Sequence, residues 1–179
     1  MAAAAAGRYV PVLERIPEEP VRVAVLVLAA TSVGAVPARA QNPKEAVLEA
    51  AQGVFDAMAR KDTVALRRLM HPLATLIATV ENGDSVRVNG SRLDQFISQI
   101  AAFPTTPIER MWNAEVRVSG AIATVWTQYD FHRDREFSHC GIDAFHLVRT
   151  DDGWKVSSII YTVVRPPNRC KPNPIGPPR

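Results

Sequence analysis

Cysteine is scarce in this chain: Cys140 and Cys170 are the only two among 179 residues, and no CxxC spacing accompanies either. That excludes a disulfide-dense scaffold and a thiolate zinc module. Charge of one sign is equally unconcentrated. The 21 Lys and Arg and the 18 Asp and Glu residues are scattered along the chain, without the basic block that a nucleic-acid surface needs, so no nucleic-acid partner is indicated. Long apolar runs are missing too. The most pronounced, "VAVLVLAATSVGAV" from Val23 to Val36, is 14 residues long, where a bilayer span takes about 20. No internal repeat is visible. What is present, 47% hydrophobic and 22% charged residues, is the composition of an ordinary globular domain, and one domain is expected.

The short apolar run has the length of a secretory signal core. Arg22 precedes it, and "ARA" from Ala38 to Ala40 ends it with small residues where a signal peptidase reads, so residues 1–40 are expected to be removed by cleavage before Gln41. The alternative is a buried or membrane-anchoring N-terminal helix. No cysteine follows the run, which speaks against lipid attachment. Residues 1–20 include Glu14, Glu18 and Glu19, unlike the positive leader of a signal; a start at Val21 gives a compact leader with Arg22 as its positive end. Export places the mature protein in the periplasm or outside the cell, with no membrane span left. That compartment is oxidising, so Cys140 and Cys170 are a candidate disulfide tying the tail to the sheet. Whether their Cα atoms come within about 7 Å is a matter for the structure.

The mature chain opens with a helix. Asn42 suits the cap, Pro43 the first helical position and Glu45 the positive end of the helix dipole; Val47, Ala51, Val54, Phe55 and Met58 recur at helical spacing. Asp62 caps a shorter helix with Val64, Leu66 and Leu69, ending before His71-Pro72. "LATLIATV" and "SVRVN" then flank Asn82-Gly83, a hairpin dipeptide. A third helix follows Ser91, with Asp94 in its first turn and Leu93, Phe96, Ile97 and Ile100 on one stripe. Segments near 108–118, 121–133, 136–150 and 154–164 are rich in β-branched and aromatic residues and are separated by short turns, which forces an antiparallel meander. The proline-rich residues 166–179 form a tail.

This order of elements is α+β: a curved antiparallel sheet covered on one face by three helices. With the stretch "VWTQYDFHRDREFSHCGIDAFHLVRTDDGWKVSSIIYTVV", it resembles the nuclear transport factor 2-like superfamily, also described as cystatin-like, and within it the SnoaL-like and lumazine-binding branch. The resemblance covers about Pro43 to Val164, the domain being residues 41–165. It implies a cone-shaped α+β barrel with a cavity between sheet and helices, often dimeric through the outer face of the sheet. The superfamily holds isomerases, dehydratases and cyclases beside members of no known activity, so the fold alone does not name a reaction.

Pleat geometry gives the candidate site. If Arg149 faces Trp154 across "DDG", and Arg133 faces Glu136 across "RDRE", then Phe145 faces Ser158, Asp130 faces His139 and Trp126 faces Asp143. Trp126, Gln128, Asp130, His139, Asp143, Phe145, Trp154 and Val156 then share one face; Val125, Thr127, Tyr129, Phe131, Ile142, His146 and Tyr161 share the other, the candidate dimer face. A one-residue slip at "RDRE" exchanges these partners. The resemblance turns Trp154 inward, making Trp126, Gln128, His139, Asp143, Phe145 and Trp154 candidate ligand contacts. Asp143, His139 and Asp130 are candidate catalytic residues, because burial raises a carboxyl toward working pH and imidazole exchanges protons there. The plainer readings are an exposed Asp130–His139 pair and an Asp143 that accepts hydrogen bonds from Trp126 or backbone. Gly141 marks a bulge or bend. His139 and Cys140 point to opposite faces, so a shared metal ion is not expected, nor is a cofactor. Two functions fit: a binding or accessory domain for a small hydrophobic or aromatic molecule, and a cofactor-free isomerase or dehydratase using Asp143 or the Asp130–His139 pair.

Overall fold

The computed structural model describes residues 42–82, 85–165, 170 and 173–178. The expected signal segment, the expected cleavage site before Gln41 and the alternative start at Val21 lie outside the described residues.

Helix α1 spans Pro43–Ala59, with Asn42 Oδ1 accepting from the Lys44 amide at 3.1 Å. Its buried stripe of Val47, Ala51, Val54, Phe55 and Met58 lies on the sheet; tertiary burial of that stripe, more than helix propensity, holds such an element. Helix α2, Thr63–Leu69, is capped by Asp62, whose Oδ1 accepts from the Ala65 amide at 2.9 Å. Strand β1, Met70–Asn82, begins earlier than the proline at 72 suggests and runs antiparallel to β2, Ser85–Arg92. Asn82 pairs with Ser85, so the hairpin turn falls on residues 83–84, outside the described residues. Helix α3, Leu93–Ala101, starts one residue later than Ser91 implies. Ser91 is still a strand residue paired with Leu76; the cap is Arg92, whose amide donates to Gln95 Oε1 at 3.2 Å.

Four long strands complete the fold: β3 Pro107–Ser119, β4 Ile122–Arg133, β5 Glu136–Thr150 and β6 Gly153–Val163. The six strands form one curved, unclosed sheet in the order β2-β1-β6-β5-β4-β3. All pairs are antiparallel except β1 with β6, where the first hairpin docks parallel against the end of the meander. The helices cover the concave face, and Tyr129, Phe145, Leu147, Val125 and Val156 are fully buried beneath them.

Two irregularities decide which residues enter that concave layer. The turn between β4 and β5 pairs Arg133 with Glu136 as expected, but the next pairs are His132 with Phe137 and Phe131 with His139; Ser138 is the extra residue of a β-bulge. A second bulge sets Phe145 opposite Ile159, with Ser158 opposite His146. Because side chains alternate, the first bulge moves the residues of β4 from Ile122 to Phe131 to the opposite side from that expected relative to their β5 partners. Val125, Thr127, Tyr129 and Phe131 join His139, Asp143, Phe145 and Tyr161 on the inside, and Trp126, Gln128 and Asp130 lie on the convex side. The candidate dimer face is thereby corrected: five of its members, Val125, Thr127, Tyr129, Phe131 and Tyr161, are interior.

Gly141 occupies a close approach. A Cβ there would lie 2.0 Å from Thr162 O and 2.8 Å from Tyr129 Cε1, where the Tyr129 hydroxyl donates to Thr162 O at 2.7 Å and the Ile142 amide donates to Thr162 Oγ1 at 2.9 Å. Any side chain at 141 would push these strands apart.

Candidate functional site

Between the concave sheet and helices α1 and α3 lies a cavity of about 210 Å³. Its walls are apolar rings and aliphatic chains: Phe55 and Met58 from α1, Phe96 and Ile100 from α3, Phe103 beyond it, and Phe131, Leu76, Ile159 and Tyr161 from the sheet. The polar lining is Glu109, Asp143, His139, Gln99 and Arg133. In size the cavity exceeds the ~150 Å³ apolar void known to take up benzene and falls short of the ~300 Å³ at which drug-sized pockets begin. It suits one ring with a short substituent.

Two carboxyl side chains, Asp143 and Glu109, line the cavity together. Asp143 is 1% exposed, and its Oδ2 receives no hydrogen bond from any backbone amide, hydroxyl or basic side chain among the described residues. The Glu109 carboxyl, from β3, meets it across β4, within hydrogen-bonding reach. Burial holds both carboxyls well above the usual carboxylate range. For Glu109 the Asp143 charge and hydrogen bond raise it further, and for Asp143 the hydrogen bond from Glu109 is a lowering influence. Both causes favour the protonated form of Glu109, which can donate to Asp143.

His139 is on the same wall, stacked on Phe131 at 4.8 Å with Nδ1 3.1 Å from Ser138 Oγ. Burial first, then the charges of Arg165, Arg133 and His132, push its imidazole down to about 4, so it stays neutral at physiological pH. Arg133 sits at the rim with its guanidinium 5.7 Å from the Phe103 ring centroid.

The other expected contacts lie elsewhere. Trp126 is 56% exposed on the convex face, and Gln128 lines a shallow convex groove with Trp112 and Cys140. Phe145 is buried one layer behind the cavity, edge-on to Phe55 at 5.6 Å. Trp154 packs half-buried against the core but does not line the cavity. Asp130 does not meet His139. It pairs through both oxygens with Arg110 of β3, Nε to Oδ1 at 2.9 Å and Nη2 to Oδ2, with His132 Nδ1 3.8 Å from Oδ1; Arg110 Nη1 also donates to Gly176 O at 2.6 Å. The bulge at Ser138 is the reason in each case on β4. Cys140, also convex, is bridged to Cys170, Cα to Cα 5.7 Å, and with Arg110 it anchors the tail. Among the described residues, no three His, Cys, Asp or Glu side chains gather as a metal site. Glu109 was missed by sequence reasoning. Its signal is a carboxylate alternating with Pro107 and Met111 on the strand's inner side, obscured because β3 bulges at Asn113–Ala114, where Asn113 has φ 54°.

Residues 42–162, well over half of the chain, match the family model described as "Putative lumazine-binding". The chain belongs to that family. Among curated proteins none matches. Among solved structures, a nuclear transport factor 2-like protein from Cytophaga hutchinsonii is similar with a TM-score of 0.56 at 13% identity, over 69% of this chain and 99% of that one. One of unknown function from Silicibacter pomeroyi gives 0.51 at 20% identity, over 67% and 94%. A protein with a cystatin-like fold from Nostoc punctiforme gives 0.53 at 11%, over 68% and 90%. At these identities the likeness is one of fold. The match to the family described as "Putative lumazine-binding" suggests a ligand-binding domain.

The raised carboxyls have a consequence for stability. The folded protein holds a proton that the unfolded chain gives up above about pH 4, so stability from this pair is fully present below that pH and is lost as pH rises toward the folded values. The slope reaches about 1.4 kcal/mol per pH unit for each proton so held. His139 works oppositely between about 4 and 6.5: it is neutral when folded and protonated when unfolded, so its contribution grows with pH there and is constant above. In urea unfolding at pH values above about 4, stability of the natural protein relative to Glu109→Gln is therefore expected to fall as pH rises. An unchanged slope in that variant would place the protons elsewhere.

Proposed function

We propose that this domain is an exported, small-molecule-binding or accessory module of a bacterial envelope, cleaved before Gln41 and acting in the periplasm or outside the cell. The observation that carries the binding reading is the aromatic-lined cavity with the Glu109 and Asp143 carboxyls in its wall: apolar walls supply affinity, and a few polar groups fix orientation. Its occupant is a small hydrophobic or aromatic molecule of single-ring size. Export is supported by the signal-like residues 1–40 and by the Cys140–Cys170 bridge, which suits an oxidising compartment. Exposed Ile122, Trp126 and Ile160 on the convex face, at 62%, 56% and 39%, support a homodimer through that face.

Calorimetric titration of the mature protein with phenol and toluene tests the binding reading. Saturable binding is expected, lost when Ile159→Phe fills the hollow; no heat from either probe in the folded protein would contradict it.

A second reading is favoured by one observation, that His139, held neutral, shares the cavity with the Glu109–Asp143 pair. A proton-sharing carboxyl beside a neutral imidazole can accept a proton from a substrate and return it elsewhere, as a cofactor-free isomerase or dehydratase requires. Turnover that disappears in Asp143→Asn while ligand retention persists would establish it.

A further inference from the structure

The cavity wall holds two carboxyls, Glu109 and Asp143, and one guanidinium, that of Arg133 at the rim. Glu109 and Asp143 meet there, and Asp143 Oδ2, on a residue 1% exposed that lines the hollow, has no donor from a hydroxyl, amide or basic group among the described residues. The charges around it are unevenly placed. Arg133, Arg165 and His132 act on His139, whereas Asp130 adds negative charge at Glu109. Helices α1 and α3 contribute only uncharged side chains to the lining, and Tyr161 on β6 stays protonated because burial and the two carboxyls raise its hydroxyl. Tyr129 of β4 is occupied by Thr162 O. Phe55, Phe96 and Phe131 complete the wall. Aromatic faces together with carboxyl oxygens are the recognition chemistry of an organic cation, since the ring quadrupole and the carboxylate both attract positive charge. A buried carboxylate left without a cation is costly, and a ligand that brings one removes the cost.

We infer that the cavity takes a small primary ammonium cation, an arylalkylamine of one ring and a one- or two-carbon stem, with its N–H groups donating to Asp143 Oδ2 and Glu109 and its ring held among Phe55, Phe96 and Phe131. This rests on the binding reading above. The amine enters as the ammonium, the form that an alkylamine with a pKa near 10 has at neutral pH, and displaces the shared carboxyl proton to solvent. No bond to carbon forms or breaks.

Isothermal titration of the mature, disulfide-bonded protein with benzylamine and with benzyl alcohol, each in two buffers of different ionisation enthalpy, tests this. The expected result is an amine bound at least about tenfold more tightly than the alcohol, a preference of roughly 1.4 kcal/mol, with release of about one proton and affinity rising with pH until the amine itself deprotonates. Asp143→Asn is expected to abolish the amine preference while benzyl alcohol still binds; Glu109→Gln provides the same comparison should the first variant not fold. Equal or tighter binding of benzyl alcohol, or amine binding without proton release, overturns the ammonium assignment and leaves the binding reading standing. Failure of both probes to bind the folded protein overturns both.

Discussion

Asp130→Ala is expected to cost about 3–5 kcal/mol of stability in urea unfolding, the scale on which an uncompensated buried charge is felt. Asp130 is 5% exposed, and the Arg110 side chain it neutralises is 15% exposed. Removing the carboxylate leaves the guanidinium with Gly176 O as its remaining partner and strips His132 of its neighbouring carboxylate. Burial already lowers the His132 imidazole, so it offers no replacement charge. Asp130→Asn, which keeps an acceptor for the Arg110 Nε, should lose less. A loss under about 1 kcal/mol in the alanine variant would mean that the pair is solvated like an ordinary surface ion pair. The effect belongs to the convex face and leaves every residue of the cavity wall in place.

Loss of the Cys140–Cys170 bridge is the second large effect. The crosslink spans 30 residues of sequence, and closing a loop of that length in the unfolded chain is worth about 3–4 kcal/mol in the chain-entropy account. Comparing urea midpoints of the oxidised protein and the Cys140→Ser, Cys170→Ser double variant measures it. Among the described residues, Arg110 Nη1 to Gly176 O also holds the tail to the body; in the double variant residues 173–178 should also become protease-sensitive. Equal midpoints would show that the tail and strand β5 stay together without the bridge.

The fold was legible because its signals are local and repeated. Asn42-Pro43 and Asp62 start helices by capping geometry, and the stripe from Val47 to Met58 needs only a period. Gly153, at φ 98°, gives the β5–β6 turn the positive φ that the "DDG" string suggests. Pairing across that turn, Arg149 with Trp154 and Leu147 with Val156, came out as the string implies. The candidate site was only half legible. His139 and Asp143 do line the cavity, because their relation to each other depends on β5 alone. Trp126, Gln128 and Asp130 were assigned to that face through the β4–β5 register, and one extra residue at Ser138 reverses it. Nothing in "EFSHCG" distinguishes a bulged serine from a paired one, since a bulge is decided by how the whole sheet bends. Glu109 was hidden for a like reason: the bulge at Asn113 breaks the alternation from which its inward direction would be read. Trp154, four residues from the Ile159 that does line the hollow after allowing for the Ser157 bulge, packs on the core beyond the cavity's end.

Everything chemical here depends on Glu109 and Asp143 holding a proton in an apolar hollow. Carbon-detected NMR titration of the two side-chain carboxyls in the folded protein tests this most directly. Both should keep a protonated or proton-sharing signature well above the range of free carboxyls, moving together as a coupled pair. Two independent titrations near pH 4, the range of free carboxyls, would contradict the account.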